Sequence, residues 1–459
     1  MSFPASTRPQ LSYDDITPAQ QDAITRLYER NTLLIAPMGF GKACVAQTAA
    51  QELLDEGVLQ RVLVIAPLKV CTLTWAAEHR NWSHLRAVGM ATGPESIRCA
   101  ALLTHRDIVV INIENVAWFF NTYGADHGFD GLIVDEGTRI KGAGSTAFKA
   151  LRHRLKDFTW RVCMSADPIA ETGADIYTQA FIVDGGAALG RNKEVFQRKY
   201  FYPVDYGQFK WRLLPGQGDA LAQALDGLLY VAADTGYSAS LPELQDVVIP
   251  VVMPPAAWDA YHALAQTGAV TLDGVEIEAP TAATVAGKLQ QVTAGAVYDE
   301  HHTAHWIHYQ KFEALDSHVD AVLAAGGTVC IAYNYAFERD CLKVLYPEFP
   351  VLGDNPEAVE ADWTAGRLKG ILLHPKSAAH GLNLQHGGCE LFILSAPWGA
   401  DPWAQLVGRL RRRGQRSPFV RRTTFIIANT IDEVILARHE TKAYDSEDLN
   451  EYLARARRA

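Results

Sequence analysis

No stretch of this chain approaches the roughly 18 consecutive apolar residues that a membrane-spanning helix needs. Its first ten residues, MSFPASTRPQ, lack the apolar core of a secretory leader, so the expected setting is intracellular and cytoplasmic, without a membrane partner. Cysteine is sparse: seven residues, at positions 44, 71, 99, 163, 330, 341 and 389, with no CxxC spacing. An odd count without that spacing argues against a disulfide framework or a zinc knuckle and for small buried thiols in a reducing compartment. Positive charge is also in deficit, 42 Lys and Arg against 52 Asp and Glu, for a formal net charge of -10. Such a balance favours solubility and excludes a protein that coats nucleic acid with its whole surface. Local charge can still differ. Arg409 to Arg422 reads RLRRRGQRSPFVRR, seven arginines without a carboxylate, and any phosphate-seeking face is expected there.

What is present is the pattern of an α/β protein. Short aliphatic runs at Thr32–Ala36, Arg61–Ala66, Asp107–Ile111, Gly131–Val134 and Arg161–Met164 are bounded by turn or polar residues. They read as buried strands, each too short for a helix. Between the first two, Ala43 to Leu54 is apolar at helical spacing. Strands alternating with helices predict a parallel sheet covered on both faces. A second series starts at Thr328 (TVCIAY) and continues with GILL from Gly370, LFIL from Leu391 and TTFII from Thr423. Two parallel-sheet lobes are therefore expected, at 1–184 and 311–445, with a partly helical linker at 185–310 and a tail at 446–459.

The strongest chemical signal is Pro37-Met38-Gly39-Phe40-Gly41-Lys42-Ala43, directly after a strand and at the start of a helix. Glycines at positive φ let backbone N–H groups converge on a phosphate chain, the helix N-terminus favours anions, and a lysine reaches the β/γ oxygens. The hydroxyl that usually follows the lysine and ligates Mg²⁺ is missing, because that position is Ala43. A second protein anchor for Mg²⁺ is Asp135, which with Glu136 ends the apolar run Gly131–Val134. Ligands in open α/β sheets bind at that end of the strands. Glu136 is suited to orient and deprotonate an attacking water. A third signal is Gln405 to Gln415, with Arg409 and Arg412 three apart and so on one helical face. Guanidinium groups there would neutralise charge developing on a transferred phosphoryl group.

In this order, the phosphate loop, the Asp-Glu strand and QxxGRxxRxGQ about 270 residues later resemble a superfamily-two helicase of the Swi/Snf-type DNA translocase group, in a compact bacteriophage form. The resemblance runs from about Leu11 to Lys442. It implies two RecA-like lobes, ATP and Mg²⁺ as cofactors, and a sequence-independent duplex or branched DNA partner, in the host cytoplasm if the chain is viral. Catalytic roles fall on Lys42, Asp135, Glu136, Arg409 and Arg412. Nucleotide contacts fall on Gln20 (the family's adenine-reading position), the 37–43 loop and Gln405. Pro67 and Lys69, then Asn112 and Glu114, and Ser377, His380 and Asn383 of the segment containing HGLNLQ are the implied DNA contacts. Ala66-Pro67-Leu68-Lys69 with Trp75 and Glu78 is similar to the family's motif Ia.

Two positions depart from the family pattern: Ala43, and Asp167 in Ser165-Ala166-Asp167-Pro168, where a negative side chain near phosphates is electrostatically adverse. Two functions stay open: an ATP-driven DNA motor, and a degenerate relative that binds DNA or a protein partner with little turnover. A phosphate-loop kinase or GTPase would leave Arg409, Arg412 and the second lobe without a role. The histidines at 301, 302, 305 and 308 lack cysteine partners and read as linker residues, and Trp118, Phe119 and Phe120 read as core.

Overall fold

A computed structural model describes residues 10–104, 106–140, 144–166, 173–203, 211–232, 241–375, 384–412 and 414–440. The chain divides into two compact units, one carrying residues up to 235 and the other residues 236–442. Among the described residues, no helix is long and apolar enough to cross a membrane.

The strands of the first unit are β1 (Thr32–Ile35), β2 (Val62–Ala66), β3 (Gly89–Ala91), β4 (Ile108–Asn112), β5 (Gly131–Val134), β6 (Trp160–Ser165), β7 (Phe201–Pro203), β8 (Trp211–Leu213) and β9 (Leu229–Val231). Among the described residues, seven of them form one sheet in the order β3-β4-β2-β5-β6-β1-β9. Every pairing in it is parallel. Side chains alternate between its faces. Leu33, Ile35, Leu63, Ile65, Val109, Ile111, Leu132 and Val134 enter one core. Leu34, Ala36, Val62, Val64, Ile108, Val110 and Ile133 enter the other. A sheet buried on both faces has to be aliphatic at every position, which is why these strands read as uninterrupted apolar runs. β7 and β8 pair antiparallel beside it.

Two helices frame the first strand. Helix α1 (Pro18–Glu29) starts at Thr17, whose hydroxyl accepts from the Gln20 N–H while Pro18 occupies the first turn. Helix α2 (Lys42–Asp55) starts at Gly41, held at φ 87°.

The strands of the second unit are β10 (Glu243–Val251), β11 (Ala269–Leu272), β12 (Val275–Glu278), β13 (Ala296–Tyr298), β14 (Ala304–Trp306), β15 (Val329–Ala332), β16 (Gly370–Leu373), β17 (Glu390–Ile393) and β18 (Phe419–Ile427). Among the described residues, its sheet runs β10-β18-β17-β15-β16, again parallel throughout. Cys330, Ala332, Ile371, Leu391 and Ile393 line one face. Val329, Ile331, Leu372 and Phe392 line the other. The two parallel-sheet lobes expected from the sequence are both present. The 185–310 segment is shared between the units, because β9 extends the first sheet and β10 the second.

A buried polar network ties the accessory helices to the second sheet. Lys311, on helix Gln310–Ala324, donates to Asp432 at 2.7 Å and to the Leu394 carbonyl at 3.1 Å. Asp432 also accepts from the Thr293 hydroxyl at 2.8 Å and the Ile427 N–H at 3.0 Å. Gln290, on helix Ala282–Ala294, donates to the Ala396 carbonyl at 2.7 Å. Each buried polar atom in this set meets a partner, as a low-dielectric interior requires.

Candidate active site

Because the first sheet is parallel, the loops that leave β1, β2, β4, β5 and β6 all emerge at one edge. Reading across that edge, Asn112 closes β4, Pro67 and Lys69 follow β2, Asp135 and Glu136 follow β5, Ser165 closes β6, and the 37–41 loop follows β1. One edge thus collects both the implied nucleotide residues and the implied DNA residues of this unit.

The 37–41 loop forms a cradle at the N-terminus of α2. Gly39 and Gly41 have φ of 81° and 87°, values open to glycine and costly for other residues. A Cβ added at Gly41 would stand 2.7 Å from the Gln20 side-chain nitrogen. The Phe40 N–H closes a turn onto the Pro37 carbonyl at 3.2 Å. The Lys42 ammonium donates to the Ala36 and Pro37 carbonyls at 2.9 and 3.2 Å, so the cation is held within the loop. Gln20 has two tasks in this structure. Its oxygen accepts from the Thr17 N–H at 2.9 Å, and its amide nitrogen donates to the Phe40 carbonyl at 2.7 Å. Helix α1 is thereby fastened to the 37–41 loop. Ala43 is buried in the first turn of α2 and offers no oxygen.

Asp135 is buried, and both carboxylate oxygens are oriented. The Trp75 indole N–H donates to Oδ2 at 3.0 Å and the Glu136 N–H to Oδ1 at 2.9 Å. Burial, followed by repulsion from Glu136, pushes this carboxyl up to about 6, against the pull of the Trp75 hydrogen bond and of Lys42. Glu136 sits at φ 54°, in the left-handed region that non-glycine residues rarely enter. Such strain persists where the surroundings hold it, and it clusters at working sites. The following Gly137 is required by packing, since a Cβ there would lie 2.4 Å from the Cys163 sulfur. The donor set fits phosphate and a hard divalent cation: positive-φ glycines at a helix N-terminus, a lysine, and an oriented carboxylate with lone pairs to spare.

Among the implied DNA contacts, Lys69 is exposed and Pro67 half-buried. Asn112 is buried and donates to Glu114 at 2.7 Å, while Asn115 donates to Asn112 at 2.5 Å. Ser377, His380, Asn383 and Asp167 lie outside the described residues.

In the second unit, helix Ala400–Leu410 carries Gln405 and Arg409 one turn apart, both buried. The Gln405 oxygen has no hydrogen-bond partner among the described residues. The helix ends at Leu410, so Arg412 lies beyond it instead of on its face. The Arg412 Nε donates back to the Gly408 carbonyl at 2.7 Å, placing a cation at the negative end of the helix. The basic stretch is also less available than its composition predicts. Arg421 pairs with Glu390 at 3.1 Å, Arg422 with Asp246 at 2.6 Å, and Arg411 donates to the Pro242 carbonyl at 3.0 Å.

The remaining expectations resolve as packing. Phe119 and Phe120 are buried in the core, and Trp118 lies under the Arg98 guanidinium at 4.0 Å. His305 pairs with Asp299 at 3.0 Å in the β13–β14 hairpin, and His308 bonds the Val292 carbonyl at 2.8 Å. Among the described residues, no group of three or more His, Cys, Asp or Glu side chains converges as a metal-ligand set. Two residues read from the sequence only as part of the DNA-facing motif Ia stand beside Asp135 instead. Trp75 orients Asp135, and burial followed by Asp135 pushes the half-buried Glu78 carboxyl up to about 7. A buried indole usually finds an acceptor, which was the available hint for Trp75.

Residues 17–175 match the DEAD/DEAH box helicase family. Protein p41 of Acyrthosiphon pisum secondary endosymbiont phage 1 is 31% identical over 426 residues, covering 89% of this chain and 91% of that protein. Among solved structures, the Sulfolobus solfataricus SWI2/SNF2 ATPase core in complex with dsDNA aligns over 98% of each chain, at 17% identity and a TM-score of 0.43.

Proposed function

Because the chain belongs to the DEAD/DEAH box helicase family, we propose that it is an ATP-driven motor that translocates on DNA, of the Swi/Snf-like type its motifs resemble. One observation carries the reading: the phosphate cradle, the Asp135–Glu136 pair and the Pro67–Lys69 loop leave strands of one sheet at the same edge. Nucleotide chemistry and a DNA-backbone contact then share a rigid base. In this proposal the 37–41 loop and Lys42 bind the β- and γ-phosphates of ATP. Asp135 is the residue that holds Mg²⁺, which supplies positive charge against the phosphate oxygens when bound. Glu136 orients a water and takes its proton, and Arg409 and Arg412 neutralise charge on the transferred phosphoryl group. Pro67 and Lys69, with Asn112, Glu114, Ser377, His380 and Asn383, are the proposed contacts to the DNA backbone, which carries no sequence information.

A second reading, a DNA-binding relative with little turnover, is favoured by Ala43. The alanine removes one oxygen ligand from the metal, and its burial leaves Asp135 as the protein's remaining anchor there. Displacement of a triplex-forming strand from duplex DNA separates the two. The motor reading expects ATP with Mg²⁺ to release the third strand and ADP with Mg²⁺ to leave it bound. Tight DNA binding with no release under ATP favours the second reading.

A further inference from the structure

Trp75 stands between two parts of the site that the sequence treats separately. Its indole N–H is spent on Asp135, at 3.0 Å, and both residues are buried. Its backbone belongs to the helical segment that starts at Leu68, directly after Pro67, and so carries Lys69 in its first turn. That segment is continuously bonded: the Cys71 N–H donates to the Pro67 carbonyl at 3.0 Å, the Cys71 thiol to the Ala66 carbonyl at 3.4 Å, and the Ala76 N–H to the Cys71 carbonyl at 3.1 Å. The last of these spans five residues and makes Cys71–Trp75 a turn of π-helix. Inward, Cys71 and Trp75 are fully buried; outward, Leu68, Lys69 and Thr72 are exposed.

A π-turn holds one residue more than an α-turn, and such turns recur at functional sites. It has a second arrangement within reach. Relaxation to α-type bonding shifts the register by one residue, a rotation of about 100° for the helix on its C-terminal side. Trp75 is the residue that such a change would carry, and it sets the aim of one Asp135 oxygen. We propose that Trp75 is a positioning residue that couples occupancy of the Pro67–Lys69 loop by a DNA backbone to the orientation of the Asp135 carboxylate. This inference rests on the reading of that loop as a DNA contact. It explains why an indole with a polar tip, and not a purely apolar ring, fills this buried position.

The test uses the full chain with ¹⁵N-labelled tryptophan indoles. The Trp75 resonance is assigned by its loss in Trp75→Phe, or, should that variant not fold, by its broadening when Mn²⁺ and ADP are added. A duplex oligonucleotide added without nucleotide is expected to move this resonance, and Mg²⁺ with ADP to move it again. Trp75→Phe is expected to lower DNA-stimulated ATP turnover about tenfold, the scale of one hydrogen bond to a charged group, with a smaller loss in the absence of DNA. Oligonucleotide that binds by fluorescence anisotropy while the resonance stays fixed overturns the coupling. Equal losses with and without DNA do the same, because they mark a purely structural tryptophan. Failure of the oligonucleotide to bind removes the DNA reading and the coupling together.

Discussion

Glu136 and Glu78 show how far the site departs from what each residue would choose alone. Glu136 accepts a left-handed backbone at φ 54° so that the chain can turn directly after Asp135, with Gly137 packed on Cys163. Glu78 accepts partial burial near Asp135, which drives its carboxyl from the ordinary 4.5 to about 7. A carboxyl whose folded value is raised binds more protons in the native state than in the unfolded one. Its charge therefore costs stability as pH rises through the window from 4.5 to about 7. Glu78→Gln removes that cost. In metal-free buffer the variant is expected to melt higher than the parent at pH 8, with the advantage shrinking towards pH 5. An advantage that is flat with pH contradicts the assignment.

At the scale of elements, burial decided what the sequence could reveal. Strands β1, β2, β4, β5, β6, β15, β16 and β17 are covered on both faces, so each shows as a largely aliphatic run, while β18 is buried throughout only over its second half, Thr423–Ile427. β3 and β9 are three-residue edge strands, too short to rise above the surrounding loops. β10 lies within the stretch read from the sequence as a partly helical linker, and it joins the second sheet. Its Gln245, Asp246 and Pro250 are unsuited to a central strand and acceptable on an edge, where β10 lies. The glycine turn at 37–41 and the Asp-Glu strand end were legible as local structure because the residues that form them are adjacent in sequence. The Trp75–Asp135 contact joins residues 60 apart, and no local pattern announces it. The network around Lys311 is of the same kind, built from residues between 290 and 432. Lys311→Met would leave Asp432 buried beside its remaining donors but without its cation. Denaturant titration is expected to show a loss of about 3–5 kcal/mol, the usual penalty for an uncompensated buried charge. A change below about 1 kcal/mol would show the pair to be dispensable.

The whole molecule is acidic, and its arginine-rich stretch is largely engaged in ion pairs and helix-end contacts within the second unit. The proposed phosphate recognition therefore rests on particular loops rather than on a general positive field. Two parallel-sheet units, a phosphate cradle fastened to α1 by Gln20, and an oriented acidic pair make up the motor proposed here. Its central claim is that Glu136 drives ATP hydrolysis and that DNA accelerates it. The most direct measurement is steady-state ATP turnover by the full chain and by Glu136→Gln, each with and without duplex DNA under saturating Mg²⁺. The account predicts turnover that rises with DNA in the parent and falls by about 10²–10⁴ in the variant, the usual contribution of a general base. A rate that Glu136→Gln leaves unchanged, or parental turnover indifferent to DNA, would contradict it.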